Sequence, residues 1–124
     1  MPSLELKNSE VYIIVEILEY VPNSIVIKTI IRKSNGSVSA VSFDTGEVLG
    51  ERIARFDTYI QVVEGEAEIM IEDQVHTLRV GSSIIIPAKA RNTIKANVRF
   101  KMISTIIKGT VPVITATKET IPNE

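Results

Sequence analysis

Phe56-Asp57-Thr58-Tyr59-Ile60-Gln61-Val62-Val63-Glu64-Gly65-Glu66-Ala67-Glu68-Ile69-Met70-Ile71 is the stretch on which the fold turns. Tyr59 to Val63 is dominated by aromatic and β-branched side chains, which suit a pleated, half-buried surface. From Ala67 to Ile71, the apolar Ala67, Ile69 and Ile71 alternate with Glu66, Glu68 and Met70. A period of two sends one face to a core and leaves the other largely wet. Glu64-Gly65-Glu66 between the halves predicts a hairpin.

The same texture continues on both sides. Ile25 to Arg32 and Ser37 to Phe43 are β-branched runs flanking Ser34-Asn35-Gly36. Asn-Gly supplies the positive φ angles of a tight turn, so these runs are expected to pair antiparallel. Asp44-Thr45-Gly46 reads as a turn, and Glu72-Asp73-Gln74 turns the chain into Val75 to Val80. Gly81 breaks that run, Ile84-Ile85-Ile86 continues it and Pro87 ends it. Val98, Phe100, Met102, Ser104 and Ile106 then alternate with Arg99, Lys101, Ile103 and Thr105. Short strands with frequent turns predict an all-β sandwich or barrel. Ahead of them, residues 1 to 10 form a loose lead-in. Val11, Ile14, Val15 and Leu18 sit at helical spacing and predict a short helix near 12–20, ended by Val21-Pro22-Asn23. The tail after Lys108 carries Pro112 and Pro122 and reads as an edge strand or a loose end.

Composition narrows the function classes. The 124 residues suit one domain spanning 1–124, with no room for a second core. Lys and Arg total 14 against 15 Asp and Glu, which gives no basic footprint for nucleic acid. There is no cysteine, so disulfides, thiolate chemistry and Cys-type zinc sites are excluded. The N-terminus lacks a signal-peptide pattern, and the apolar run Val11 to Leu18 is short and carries Glu16. No membrane partner is therefore expected, and the cytoplasm is the expected location. Asn35-Gly36-Ser37 formally matches a glycosylation sequon but reads as a turn.

Two stretches resemble the paired motifs of the cupin superfamily, in particular its small single-domain members. Gly46 to Gly65 keeps the spacing of the first motif, whose two glycines bracket a His-x-His pair and a glutamate. Those histidine positions fall on Arg52 and Ala54, and the glutamate position on Thr58. In the second motif Gly81 and Pro87 match, while Lys89 stands for a glycine, Asn92 for the histidine and Ala96 for an asparagine. The likeness covers roughly residues 36–107. It implies a cupin-like double-stranded β-helix, or jelly-roll β-barrel, here with a short N-terminal helix.

The frame is kept and the family's chemistry is lost. Imidazole and carboxylate ligands donate lone pairs to Mn, Fe, Ni, Cu or Zn. Arg52 is a cation with no lone pair, Ala54 offers nothing, and Thr58 and Asn92 are weak neutral donors. The chain holds one histidine, so a multi-histidine centre cannot be rebuilt within it. No metal and no cofactor are expected.

Arg52 either binds an anionic ligand bidentately or resolves its charge locally, against Glu47 or Asp57 or at an exposed mouth. Thr58 and Asn92 can orient a small polar ligand between aliphatic walls. Gln61 lies on the opposite strand face from Thr58 and is the weaker candidate. His76 could act as a base, but it shares the strand phase of Leu78 and Val80, and packing is the better reading. The acidic run Glu64, Glu66, Glu68, Glu72 and Asp73 lacks the spacing of a calcium loop and reads as a solvated hairpin. The expected function is small-molecule binding in a metal-free cavity, with Arg52, Thr58 and Asn92 as the site and a small polar or anionic ligand. A homodimer is expected, because Ile25 to Ile31 is too apolar for a bare edge. The alternative is an enzyme of isomerase or dioxygenase type with a degenerate or subunit-shared site. A third reading is a structural protein whose former site is filled by Ile60, Phe100 and Met102.

Overall fold

The alternating segments form eight strands in a computed structural model that describes residues 5–109. They are β1 (Ile25–Lys33), β2 (Gly36–Phe43), β3 (Val48–Ile53), β4 (Asp57–Ile71), β5 (Gln74–Arg79), β6 (Ser83–Ile86), β7 (Arg91–Lys95) and β8 (Phe100–Ile107). Hydrogen bonding runs in the order β1-β2-β8-β4-β7-β3, and β5 and β6 also pair with β4. The chain is all-β, as expected. The expectations for Met1 to Leu4 of the lead-in and for the tail with Pro112 and Pro122 lie outside the described residues.

The stretch quoted first folds differently from its reading. Residues 57–71 are one strand, with no hairpin at Glu64-Gly65-Glu66. The first part of β4 pairs with β6 and β8, and the second with β5 and β7, so one strand serves both walls of the curled sheet. The buried residues are Thr58, Ile60 and Val62 before Gly65, then Ala67 and Ile69 after it. Inward parity therefore switches from even to odd numbers. A bulge does this, and the pairing with β8 slips between Val62 and Glu64. Gly65, at φ 76, takes the bend; a Cβ there would collide with the Arg99 carbonyl oxygen and lie 2.9 Å from Phe100 Cα.

The first hairpin pairs as expected, from Ile25 opposite Phe43 to Lys33 opposite Gly36. Its two-residue loop is Ser34-Asn35, and Gly36 is the first residue of β2. Asn35 and Gly36 have no positive φ, so the Asn-Gly turn is corrected. Gly36 is small for another reason: a Cβ would sit 2.7 Å from the Ile106 carbonyl oxygen on β8.

The expected helix near 12–20 is reduced to a 3-10 turn at Ile14–Glu16. Its backbone groups are engaged by the sheet instead. Val15 O accepts from Lys101 Nζ at 2.5 Å, Glu19 O from Ser42 Oγ at 3.1 Å, and Asn23 N–H donates to Asp44 Oδ2 at 2.8 Å. An α-helix over 12–20 would have needed the Val15 carbonyl for its own ladder, as acceptor of the Glu19 N–H. Nor is the apolar stripe buried as a stripe: Leu18 is enclosed while Val11 is 97% exposed.

The core is aliphatic around a single aromatic pair. Phe43 and Phe100 stack with ring centroids 4.5 Å apart and planes at 16°. Around them gather Ile60, Val62, Ile69, Ile86, Ile94 and Met102, with Leu78 and Val41 closing the cluster. β3 and β7 went unrecognised in the sequence because they are short and interrupted by Gly50, Glu51, Arg52 and Asn92. Of these, Arg52 and Asn92 belong to a cavity wall. No helix among the described residues is long and apolar enough to cross a membrane.

Candidate functional site

β3 and β7 place Arg52 directly opposite Asn92, 40 residues later in the chain. Opposed residues on one face of an antiparallel pair are near neighbours. On β4, Thr58 pairs with Ile86 of β6 and Ile106 of β8, in the inward phase of Ile60 and Val62. All three expected site residues line one cavity of about 360 Å³. Ile53, Ile86, Ile106 and the Phe56 ring give it apolar walls, and Ser104 adds a hydroxyl. Ile60, Phe100 and Met102 lie in the core and are not among the lining residues.

Local chain chemistry builds this corner. β3 bulges between Leu49 and Arg52, where Gly50 has φ 128, and a bulge re-aims the side chains that follow it. Lys89 N–H donates to Ala54 O at 2.6 Å and Ala54 N–H to Ala90 O at 3.0 Å, tying the end of β3 to the turn before β7. Asp57 Oδ1 accepts the Ala88 N–H at 2.8 Å. The glycine positions of the resemblance are conformationally real: Gly46, Gly65 and Gly81 all have positive φ. Lys89, standing where a glycine was expected, has φ 76 and keeps the same backbone shape.

The charge balance of the cavity is one-sided. Arg52, Arg55 and Lys108 line it, and among the described residues no acidic side chain does. Among the described residues none of the three has an ion-pair partner. Neither Glu47 nor Asp57 neutralises Arg52. Desolvation by the cavity walls holds the Arg52 guanidinium below its ordinary pKa, although the residue as a whole keeps an exposed face. Arg55 and Lys108 instead approach the Phe56 ring, at 5.5 and 5.6 Å from its centroid. Thr58 Oγ1 donates to Phe56 O at 3.1 Å. Asn92 is buried, its Nδ2 donating to Arg52 O at 3.4 Å and Ala90 O at 3.3 Å, while Oδ1 has no partner among the described residues.

This donor set does not fit a transition metal. A cation, a methyl group, a hydroxyl already donating to a carbonyl and one amide oxygen offer no anionic or imidazole ligand. Among the described residues no group of three or more His, Cys, Asp or Glu is placed to hold a metal.

The other candidates fall elsewhere. Gln61 sits half-buried on the face opposite Thr58, across from Ile103 of β8. His76 is half-buried on β5 opposite Ile69, in phase with buried Leu78, and does not line the cavity. The acidic run is dispersed among partners: Glu66 with Arg79, Glu68 with Asn97, and Glu72 with Arg91. Arg91 also reaches Glu51 and Asp73, and its pKa rises through the Glu72 hydrogen bond and the surrounding carboxylates. Arg55, Phe56, Ser104 and Lys108 were not singled out in the sequence. Strand parity with Phe100 and Met102 could have found Ser104, whereas nothing local marks Arg55 or Lys108.

Comparison with known proteins rests on shape. No family model matches the sequence, and no curated protein does. Solved structures match well. A conserved protein of unknown function from Streptococcus pyogenes superposes with a TM-score of 0.80 at 19% identity, over 90% of this chain and 98% of that one. A cupin superfamily protein from Desulfitobacterium hafniense gives 0.76 at 22% identity, over 86% and 97%. An RmlC-like cupin with a double-stranded β-helix fold from Methanocaldococcus jannaschii gives 0.66 at 13% identity, over 82% and 93%.

Proposed function

From a chain with the double-stranded β-helix fold of a small single-domain cupin, we propose a small-molecule-binding protein whose cavity takes an anionic ligand without a transition metal. Arg52, Thr58 and Asn92 form the polar floor. The observation that carries this reading is the charge imbalance: among the described residues, three cations and no carboxylate line one cavity. An unpaired guanidinium in a partly desolvated setting is stabilised by an oxyanion that it can grip bidentately. A volume of about 360 Å³ is in the range of ligand pockets, at the small end.

The isomerase or dioxygenase alternative needs a base or a ligand converging on Arg52 and Asn92. His76 lies outside the lining, so no observation favours that alternative. Elemental analysis of protein purified without chelator should find well under one equivalent of Mn, Fe, Ni, Cu or Zn. Small carboxylates should raise the melting temperature, and Arg52→Ala should abolish that rise. A near-stoichiometric metal that disappears on Asn92→Ala would overturn the proposal.

A homodimer is part of the same proposal. β1 ends the sheet, and its Ile27 and Ile31 are 62% and 39% exposed, an apolar edge that a second copy would cover. A monomeric mass by light scattering at micromolar concentration would count against it.

A further inference from the structure

Asn92 is 3% exposed, and its amide orientation is fixed from one side. Nδ2 donates to the carbonyl oxygens of Arg52 and Ala90. Both bonds are long, but reversing the amide would turn Oδ1 toward the same two carbonyls, oxygen against oxygen. Oδ1 is thus the atom left over, a buried acceptor without a partner among the described residues, on a side chain that lines the cavity. A ligand that fills this space must bring a donor. Oδ1 is already closed to water, so a donor brought to it adds a bond that the free protein does not make with solvent.

The neighbours decide what kind of donor. Arg52, Arg55 and Lys108 line the space, and among the described residues no carboxylate balances them. An ammonium group would add a fourth positive charge, whereas a hydroxyl adds none. Resting on the anion-binding reading above, we infer that the ligand is a small hydroxylated oxyanion: a carboxylate or phosphate gripped by Arg52, with a neutral hydroxyl donating to Asn92 Oδ1. The isoleucine walls leave room for a short carbon chain and supply no further polar partner.

Calorimetric titration of the unmodified full chain with matched probes tests this. Lactate is compared with propionate, and glycerol 3-phosphate with propyl phosphate. The hydroxylated member of at least one pair should bind about tenfold more tightly, the scale of one well-made hydrogen bond in a buried site. The pair that responds identifies the oxyanion as carboxylate or phosphate. Alanine, with an ammonium in place of the lactate hydroxyl, should bind more weakly than lactate. In Asn92→Leu the preference for the hydroxylated member should vanish while anion binding remains. The probe series on the unmodified protein decides the matter even if that variant fails to fold. Equal affinity within each pair overturns the hydroxyl inference and leaves the anion reading standing. No binding by any of the four probes overturns both. Alanine binding as tightly as lactate overturns the neutral-donor assignment.

Discussion

Two cation-rich corners of this protein are built on opposite terms. In one, Tyr20 from the N-terminal segment lies between Arg99 and Lys101, whose charged ends are 4.5 and 4.9 Å from its ring centroid. Its hydroxyl donates to Glu64 Oε2 at 2.5 Å, and Lys101 Nζ is 3.9 Å from the same oxygen while donating to Val15 O. Arg99 also approaches Asp44 Oδ1 at 3.9 Å. Every charge there meets a carboxylate, a carbonyl or a π face, and the result is a clasp that fastens the N-terminal segment to the sheet. In the other corner Arg52, Arg55 and Lys108 share a cavity that no carboxylate among the described residues lines, and a buried amide oxygen finds no partner among them. A satisfied polar cluster holds a fold together; an unsatisfied one is open to a partner from outside the chain.

On this contrast, changes at the clasp should cost stability and spare ligand binding, and changes at the cavity should do the reverse. The largest effect is expected at Gly65, beside Glu64 where β4 bends. Gly65→Ala combines an unfavourable positive φ with a collision against backbone, and should destabilise by on the order of 3 kcal/mol in urea unfolding. A loss under about 1 kcal/mol would mean that β4 can bend elsewhere.

Next comes Lys101, 8% exposed despite its charge. Lys101→Ala strips Val15 O of its donor and removes a cation from Tyr20 and Glu64, and should cost about 1–3 kcal/mol. Anion-dependent stabilisation should survive, because Lys101 is not among the cavity lining. Loss of both would show that the two corners are coupled.

Smaller, and visible only at high pH, is the effect of Tyr20. Burial first, and then its bond and proximity to Glu64, push the Tyr20 hydroxyl above its ordinary pKa, with Arg99 opposing more weakly. The folded state therefore holds this proton more tightly than the unfolded chain does. Its contribution is fully present below about pH 10, the unfolded value, and is lost as pH climbs toward the raised folded value. Tyr20→Phe should flatten that alkaline limb of the stability curve; an unchanged slope would place its cause elsewhere. Smallest of all is Arg52→Ala without ligand, expected to change stability by no more than about 0.5 kcal/mol. A clear loss would mean that Arg52 has a structural partner after all.

Much of the fold was legible because turns and alternation are local. Gly81, Pro87 and the residues at 44–46 and 72–73 end or turn strands by their own backbone preferences, and the structure keeps them. The errors share one cause. Glu64-Gly65-Glu66 looks like a turn because glycine at positive φ serves turns and bulges alike. Only the continuing ladder with β8 on one side and β5 on the other makes it a bulge. The Val11–Leu18 spacing suits a helix, but the side chains of Lys101, Ser42 and Asp44 take up the backbone groups of that segment and its flank.

What the sequence determined by itself is an all-β chain with the punctuation of a jelly roll, and a set of side chains at 52, 54, 58 and 92 without an imidazole or carboxylate among them. Those conclusions depend on residue chemistry and on sterics within a few neighbours. Tertiary structure decided that Arg52, Thr58 and Asn92 share one cavity, that Arg55 and Lys108 join them, and that Asn92 Oδ1 has no partner among the described residues. It also decided that Glu64 serves Tyr20, 44 residues away. The reason is physical: whether a charge or an amide is satisfied depends on which strands the sheet brings side by side, and pairing over such distances leaves no trace in local periodicity.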